Sequence, residues 1–151
     1  MQIPTSPLTG KRAVIVDDEG IIVMHLTRVL HKAGSLVVGN AQTARAGIDL
    51  VLKERPDYVL MDITMPGEMN GLDAAEAILA QYPVCIVIVS AYMDDNHRER
   101  AAQINTCGYI FKPIVAQDLI PELEKALTNW EHPRPDNQAT TDYPGPQRTF
   151  A

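Results

Sequence analysis

The chain is 151 residues long, 46% hydrophobic and 21% charged, with a formal net charge of −6. That suits one domain with a real core, excludes a wholly disordered chain, and disfavours nucleic acid, whose binding lives on Lys and Arg against phosphate. No apolar run approaches the roughly 20 residues of a membrane helix, no secretory signal is visible, and two cysteines make no disulfide framework, so a cytoplasmic protein with free thiols is expected.

The apolar runs and helical patterns alternate along the chain. Ala13-Val14-Ile15-Val16 is a continuous apolar run, which suggests a strand buried on both faces. Ile22, Leu26, Val29, Leu30 and Ala33 then repeat at helical spacing, with Gly34 placed to stop the helix. A short strand over residues 35–40 follows. Thr43 is positioned to cap a second helix carrying Ala44, Ile48, Val51 and Leu52. Tyr58-Val59-Leu60-Met61 is the third strand, and Leu72, Ala75, Ile78 and Leu79 mark the third helix. Residues 84–89 form a fourth apolar run, residues 94–105 a polar helix, and residues 108–111 a fifth strand. A last helix runs through Leu119, Leu123, Ala126 and Leu127, interrupted by Pro121, so it should start late or be distorted there. Trp130 is expected to close that helix against the body.

Five strands and five helices in strict alternation argue an α/β protein with a doubly wound parallel sheet. The folded unit is expected over residues 11–130. Residues 131–151 hold Pro133, Pro135, Pro144 and Pro146 and almost no aliphatic side chain, so they read as a flexible tail. The 21 residues after Trp130 are too few for a DNA-binding or catalytic output domain.

In such sheets chemistry sits at the carboxyl ends of the strands. Strand one ends in Asp17-Asp18-Glu19, strand three in Asp62, strand four in Ser90 and strand five in Lys112-Pro113. One such acid alone is ordinarily a helix cap or a solvated loop residue, and Asp18 or Glu19 suits that role for the first helix. Several carboxylates converging on one edge would raise one another's pKa and call for more cation than Lys112 supplies. A hard divalent ion, Mg²⁺ or Mn²⁺, is the natural remainder. A carboxylate beside such an ion and a lysine is suited to attack phosphorus.

Four segments carry a resemblance: Val14-Ile15-Val16-Asp17-Asp18-Glu19, Met61-Asp62-Ile63-Thr64-Met65-Pro66-Gly67, Val89-Ser90-Ala91-Tyr92 and Gly108-Tyr109-Ile110-Phe111-Lys112-Pro113. Together they resemble the receiver domain of two-component response regulators. The resemblance implies a flavodoxin-like sheet of order 2-1-3-4-5. It implies Asp62 as phosphoacceptor, Asp17 and Asp18 as the pair positioning Mg²⁺ together with Asp62 itself, and the Thr64 carbonyl as a further ligand. Lys112 would contact the incoming phosphoryl oxygens, Ser90 would be the switch hydroxyl, Tyr109 the aromatic that follows it, and Ala91 a position kept small. The partners implied are a histidine kinase or histidine phosphotransfer protein upstream and an unknown protein downstream. The outer side of the first helix, around Ile21 and His25, is the implied docking surface.

Two features depart from the family pattern. Gly71 stands nine residues after Asp62, where eight is commoner, which bears on the shape of the loop. Tyr92, two residues beyond Ser90, brings bulk beside the path of a hydrolytic water. A stand-alone receiver is therefore expected, with a relay intermediate or phosphate sink as alternatives. A Mg²⁺-dependent aspartyl phosphatase is disfavoured because Glu19 stands where the second Asp of an Asp-x-Asp motif belongs. A non-phosphorylated interaction module is disfavoured because every residue the chemistry needs is present. Cys85 and Cys107 read as packing residues, and His25, His31, His97 and His132 show no metal-ligand spacing.

Overall fold

The computed structural model describes residues 6–132; the tail expected from composition lies, from residue 133 on, outside the described residues. The elements alternate as the periodicity implies: β1 (Arg12–Val16), α1 (Gly20–Lys32), β2 (Leu36–Ala41), α2 (Ala44–Glu54), β3 (Tyr58–Met61), α3 (Gly71–Leu79), β4 (Cys85–Ser90), α4 (Asp95–Gln103), β5 (Gly108–Phe111) and α5 (Ala116–Glu131). All strand pairs are parallel and the sheet order is β2-β1-β3-β4-β5.

The continuous apolar runs are central strands covered on both faces. Val14, Val16, Val59, Met61, Ile86 and Ile88 point to the layer of α2, α3 and α4. Ala13, Ile15, Leu60, Val87 and Val89 point to α1 and α5. Burying each such aliphatic side chain contributes about 1.5–3 kcal/mol, which is what closes helices onto both faces. Leu8, ahead of β1, is fully buried in the second of these layers, where its carbonyl accepts a bond from Ser35 Oγ at 2.7 Å.

The helix ends follow local chemistry. Thr43 Oγ1 caps α2 by accepting from Ala46 N–H at 3.1 Å. Asn70 and Asp73 form a reciprocal capping box at the start of α3, with both bonds at 2.9 Å. Gly34, just past α1, takes φ +96, the left-handed conformation that ends a helix without strain. The polar helix α4 has little apolar surface, with only Ala101 buried. It is held instead by Arg100, which reaches Asp73 and Glu76 of α3 at 2.8 Å each.

Two expectations are corrected. Helix α5 starts at Ala116 and runs on through Pro121 to Glu131. Pro121 lies in the second turn and deletes one N–H, while Leu119, Leu123, Ala126 and Leu127 bury a stripe that outweighs that loss. Pro121→Ala, by restoring the bond to the Gln117 carbonyl, is expected to stabilise the protein by about 1–2 kcal/mol, less than the full interior-proline penalty because the unfolded chain gains freedom. A thermal melt checks this; an unchanged or lowered midpoint contradicts it. The second correction concerns Trp130, which is 38% exposed on the last turn of α5 and does not seal the helix against the body.

Candidate functional site

The backbone ladder itself aims the site. One residue past the end of β1, β3 and β5, an amide continues the parallel hydrogen bonding: Asp17 N–H donates to Ala41 O at 2.9 Å, Asp62 N–H to Val16 O at 2.9 Å, and Lys112 N–H to Ser90 O at 3.0 Å. Asp17, Asp62 and Lys112 therefore leave the sheet at one edge in fixed orientation. Because β1 and β3 are neighbours, the two aspartates are adjacent. Lys112, from the edge strand β5, reaches across the end of β4 to meet them.

Asp17 and Asp62 are almost fully buried, at 2% and 4% exposure, whereas Asp18 is exposed. Oxygens of Asp17, Asp18 and Asp62 all lie within 4.8 Å of one another. Lys112 Nζ stands 3.0 Å from Asp17 Oδ2, 3.5 Å from Asp62 Oδ2 and 2.7 Å from Glu19 Oε1. Asp17 Oδ1 accepts from Glu19 N–H at 2.9 Å. Asp17 Oδ2 is buried and, although ion-paired, lacks the alignment of a hydrogen bond with any group.

Burial, and after it the Asp17 charge, push the Asp62 pKa up to about 6, against the opposing pull of Lys112 and the Thr64 N–H. Burial disfavours the charge on Lys112, yet Glu19, Asp17 and Asp62 outweigh it and raise its pKa, so the ammonium stays charged. The site thus keeps one firm cation among acids that repel one another.

Asp18, Glu19, Asp62 and Lys112 line an open cleft of about 330 Å³ together with Thr64, Ser90, Ala91 and Tyr92. Ala91 presents only a methyl group, and Tyr92 is 67% exposed at the rim. Ser90 Oγ donates to the Tyr92 carbonyl at 3.0 Å and does not touch Asp62 in this state. Tyr109 lies on the α4 side, half-buried, with the Arg98 guanidinium 5.3 Å from its ring and the Phe111 ring edge-on at 4.9 Å. The structure therefore brings Asp18, Asp62, Thr64, Ser90 and Lys112 to one cleft, with Asp17 clustered against Asp62 and Lys112 and Tyr109 one strand away from the rim.

On sequence grounds Asp18 or Glu19 suits capping of α1. Glu19 occupies the N-cap position, but its side chain makes no capping bond and instead becomes the nearest partner of Lys112. The adjoining acids in Asp17-Asp18-Glu19 were the available signal. The role of Gly71 was likewise hidden: it packs directly against the Asp62 carbonyl, and its N–H donates to Ile63 O at 2.7 Å. The nine-residue spacing thus still returns the glycine to the backbone of Asp62. His25 Nε2 bonds the Ile114 carbonyl at 3.1 Å, tying α1 to the loop between β5 and α5. No helix among the described residues is long and apolar enough to cross a membrane.

Comparison with known proteins agrees with this geometry. The family model of the response regulator receiver domain matches residues 13–124. The chain is 33% identical over 120 residues to the transcriptional regulatory protein PdtaR of Mycobacterium tuberculosis, covering 80% of this chain and 58% of that protein. It is 36% identical over 117 residues to the chemotaxis protein CheY of Thermotoga maritima, covering 77% of this chain and 97% of that one. Among solved structures, the N-terminal domain of a response regulator/sensory box/GGDEF 3-domain protein from Carboxydothermus hydrogenoformans superposes with a TM-score of 0.72 at 30% identity, covering 80% of this chain and 97% of that one. The chain spans little more than half of PdtaR, so what that whole protein does is a separate matter from the shared domain. With its five parallel strands in the order 2-1-3-4-5 and a family match across most of its length, this chain belongs to the response regulator receiver domain family.

Proposed function

We propose that the protein accepts a phosphoryl group on Asp62 from a phosphohistidine partner and passes the signal on through protein contacts. The observation that carries this reading is the Asp62 carboxylate: buried, open to one cleft, and held 3.5 Å from a charged lysine at the end of β3. Its oxygen attacks phosphorus, the bond from phosphorus to the donor imidazole nitrogen breaks, and Lys112 stays beside the transferring oxygens as their counter-charge. Asp62 must be ionised for this, which its pKa of about 6 allows at neutral pH.

Receiver domains bind Mg²⁺ at an acidic pocket, and these residues fit such an ion. The buried, unbonded Asp17 Oδ2 and the three clustered carboxylates are the donor set a hard cation seeks. Asp17, Asp18, Asp62 and the Thr64 carbonyl would hold Mg²⁺ or Mn²⁺. The ion would supply positive charge to the phosphoryl oxygens.

Ser90 suits a switch because its hydroxyl is already in the cleft, engaged only with its own loop. Turning that donor to a phosphoryl oxygen frees the Tyr92 carbonyl and changes the end of β4, beside Tyr109 and α4. The docking surface for the kinase or phosphotransfer protein is assigned to α1 and the β5–α5 loop. There Ile21, Met24 and Val115 stand 81%, 64% and 46% exposed.

Incubation with Mg²⁺ and acetyl phosphate tests the reading. An acyl phosphate that is lost in Asp62→Ala supports it; steady release of phosphate supports a phosphatase, and no labelling supports a non-phosphorylated module. The same preparation tests Tyr92. Its ring screens the cleft from hydrolytic water, so Tyr92→Ala should shorten the life of the phosphorylated form by roughly threefold to tenfold, about 1 kcal/mol of barrier. An unchanged decay rate removes that role from Tyr92.

A further inference from the structure

We propose that Cys85 and Cys107, at the opposite end of the sheet from the phosphoryl cleft, form a dithiol that a peroxide oxidises to an intrachain disulfide between β4 and β5. Cys85 opens β4 and is 1% exposed, while Cys107 immediately precedes β5 and is half-buried. Both lie in the apolar layer under α1 and α5, Cys107 at its margin. Val87 pairs with Gly108, and Cys107 N–H donates to Ile86 O at 2.8 Å. The two cysteines are therefore about one residue out of step on neighbouring strands. Strands about 4.8 Å apart that rise about 3.3 Å per residue place such Cα atoms about 6 Å apart. That separation lies within the span of a disulfide, and because Cys107 precedes β5 and does not follow its alternation, both side chains pack in the same apolar layer.

The side chains meet as well as the backbones. The neighbouring Cys107 thiol, together with burial, pushes the Cys85 pKa well up. Cys85 is thus the protected, protonated member of the pair, and Cys107 the accessible one. A cavity of about 50 Å³ beside Cys107, lined also by Gly108, Ile110, Glu122 and Lys125, leads to it. A space of that size admits a molecule like water or hydrogen peroxide and excludes a bulky disulfide.

The chemistry balances with a peroxide as oxidant. The Cys107 sulfur, its proton released, attacks one peroxide oxygen; the O–O bond breaks, and hydroxide leaves as water with that proton. The Cys107 sulfenic acid is then attacked by the Cys85 sulfur, the S–O bond breaks, and a second water leaves with the Cys85 proton. Two thiols lose two electrons and one peroxide becomes two waters. The product ties the strand bearing Ser90 to the strand that leads into Lys112, and closes the segment containing α4 into a loop.

The test uses the native full chain exposed to a modest excess of hydrogen peroxide, then a thiol-alkylating reagent, with intact mass and unreduced peptide mapping as readouts. The expected product is lighter by two hydrogens, resists alkylation, yields a Cys85–Cys107 linked peptide and reverts with a dithiol reductant. Cys85→Ser should stop at a Cys107 sulfenic acid that dimedone traps, and Cys107→Ser should leave Cys85 unoxidised. Should Cys85→Ser fail to fold, as its circular dichroism would show, the wild-type peptide map decides alone. Two thiols still alkylated after peroxide, disulfide-linked dimers, or sulfinic acid on Cys107 with Cys85 free would each overturn the proposal.

Discussion

Asp62→Asn is expected to raise the thermal midpoint of the metal-free protein at pH 7.5 while abolishing phosphoryl acceptance. The folded protein holds the Asp62 proton up to a pKa of about 6, whereas the carboxyl's ordinary value is 3.8. A raised folded pKa means that the group stabilises the fold below the ordinary value, and that this contribution fades as pH rises toward and through about 6. Above that range the fold carries a buried charge that burial and Asp17 oppose more than Lys112 and the Thr64 N–H relieve. Asparagine keeps the shape and drops the charge. The gain should reach about 2 kcal/mol at pH 7.5, roughly 6–12 °C in midpoint for a domain of this size, and vanish near pH 4. Melts of the two proteins in chelator across that pH range check this. Saturating Mg²⁺ should narrow the gap, because the cation offsets the same charge. A midpoint for Asp62→Asn equal to or below that of the parent at pH 7.5 would show that Lys112 already neutralises the site.

Gly71→Ala is expected to damage both the fold and the site. In a helix, Ala is ordinarily better than Gly by up to about 1 kcal/mol. Here a Cβ would overlap the Asp62 carbonyl and press on the Ile63 Cα, which are backbone and cannot rotate away. Overpacking of this kind costs about 1–3 kcal/mol or more, so the clash wins over the propensity. The strain falls on Asp62, the residue proposed to accept the phosphoryl group. A lowered midpoint and a slower rate of labelling by acetyl phosphate are expected together. Retention of both would mean that the loop between Asp62 and α3 yields freely. Such yielding would contradict the observed bonding of Gly71 N–H to Ile63 O at 2.7 Å and the adjoining Asn70–Asp73 capping box.

The sheet was legible because buried parallel strands leave a one-dimensional mark. Residues 13–16, 58–61 and 84–89 are apolar without alternation, and only a strand covered on both faces needs that. Once the strands are placed, their ends place Asp17, Asp62 and Lys112 as the residues that follow β1, β3 and β5, and Ser90 as the last residue of β4. What could not be read depends on reach between distant segments. Glu19 turned to Lys112, 93 residues away, in preference to its own helix, a choice set by where β5 ends. Leu8 stands between Pro7 and Thr9 with no periodic partner, so nothing local marks it as core. Trp130 and Pro121 misled in opposite senses. A large aromatic on a helix invites burial, but on the last turn of α5 Trp130 stays 38% exposed. A proline invites a break, but the stripe from Leu119 to Leu127 holds α5 through it.

The proposed phosphoryl transfer depends on one carboxylate, and one measurement addresses it directly. After reaction with acetyl phosphate and Mg²⁺, borohydride reduction converts an acyl phosphate on aspartate to homoserine, and peptide mass spectrometry locates the change. Conversion at Asp62, absent when Mg²⁺ is chelated, is the predicted result. Conversion at Asp17, Asp18 or another acid, or no conversion in protein shown to be folded, would contradict the assignment of this site.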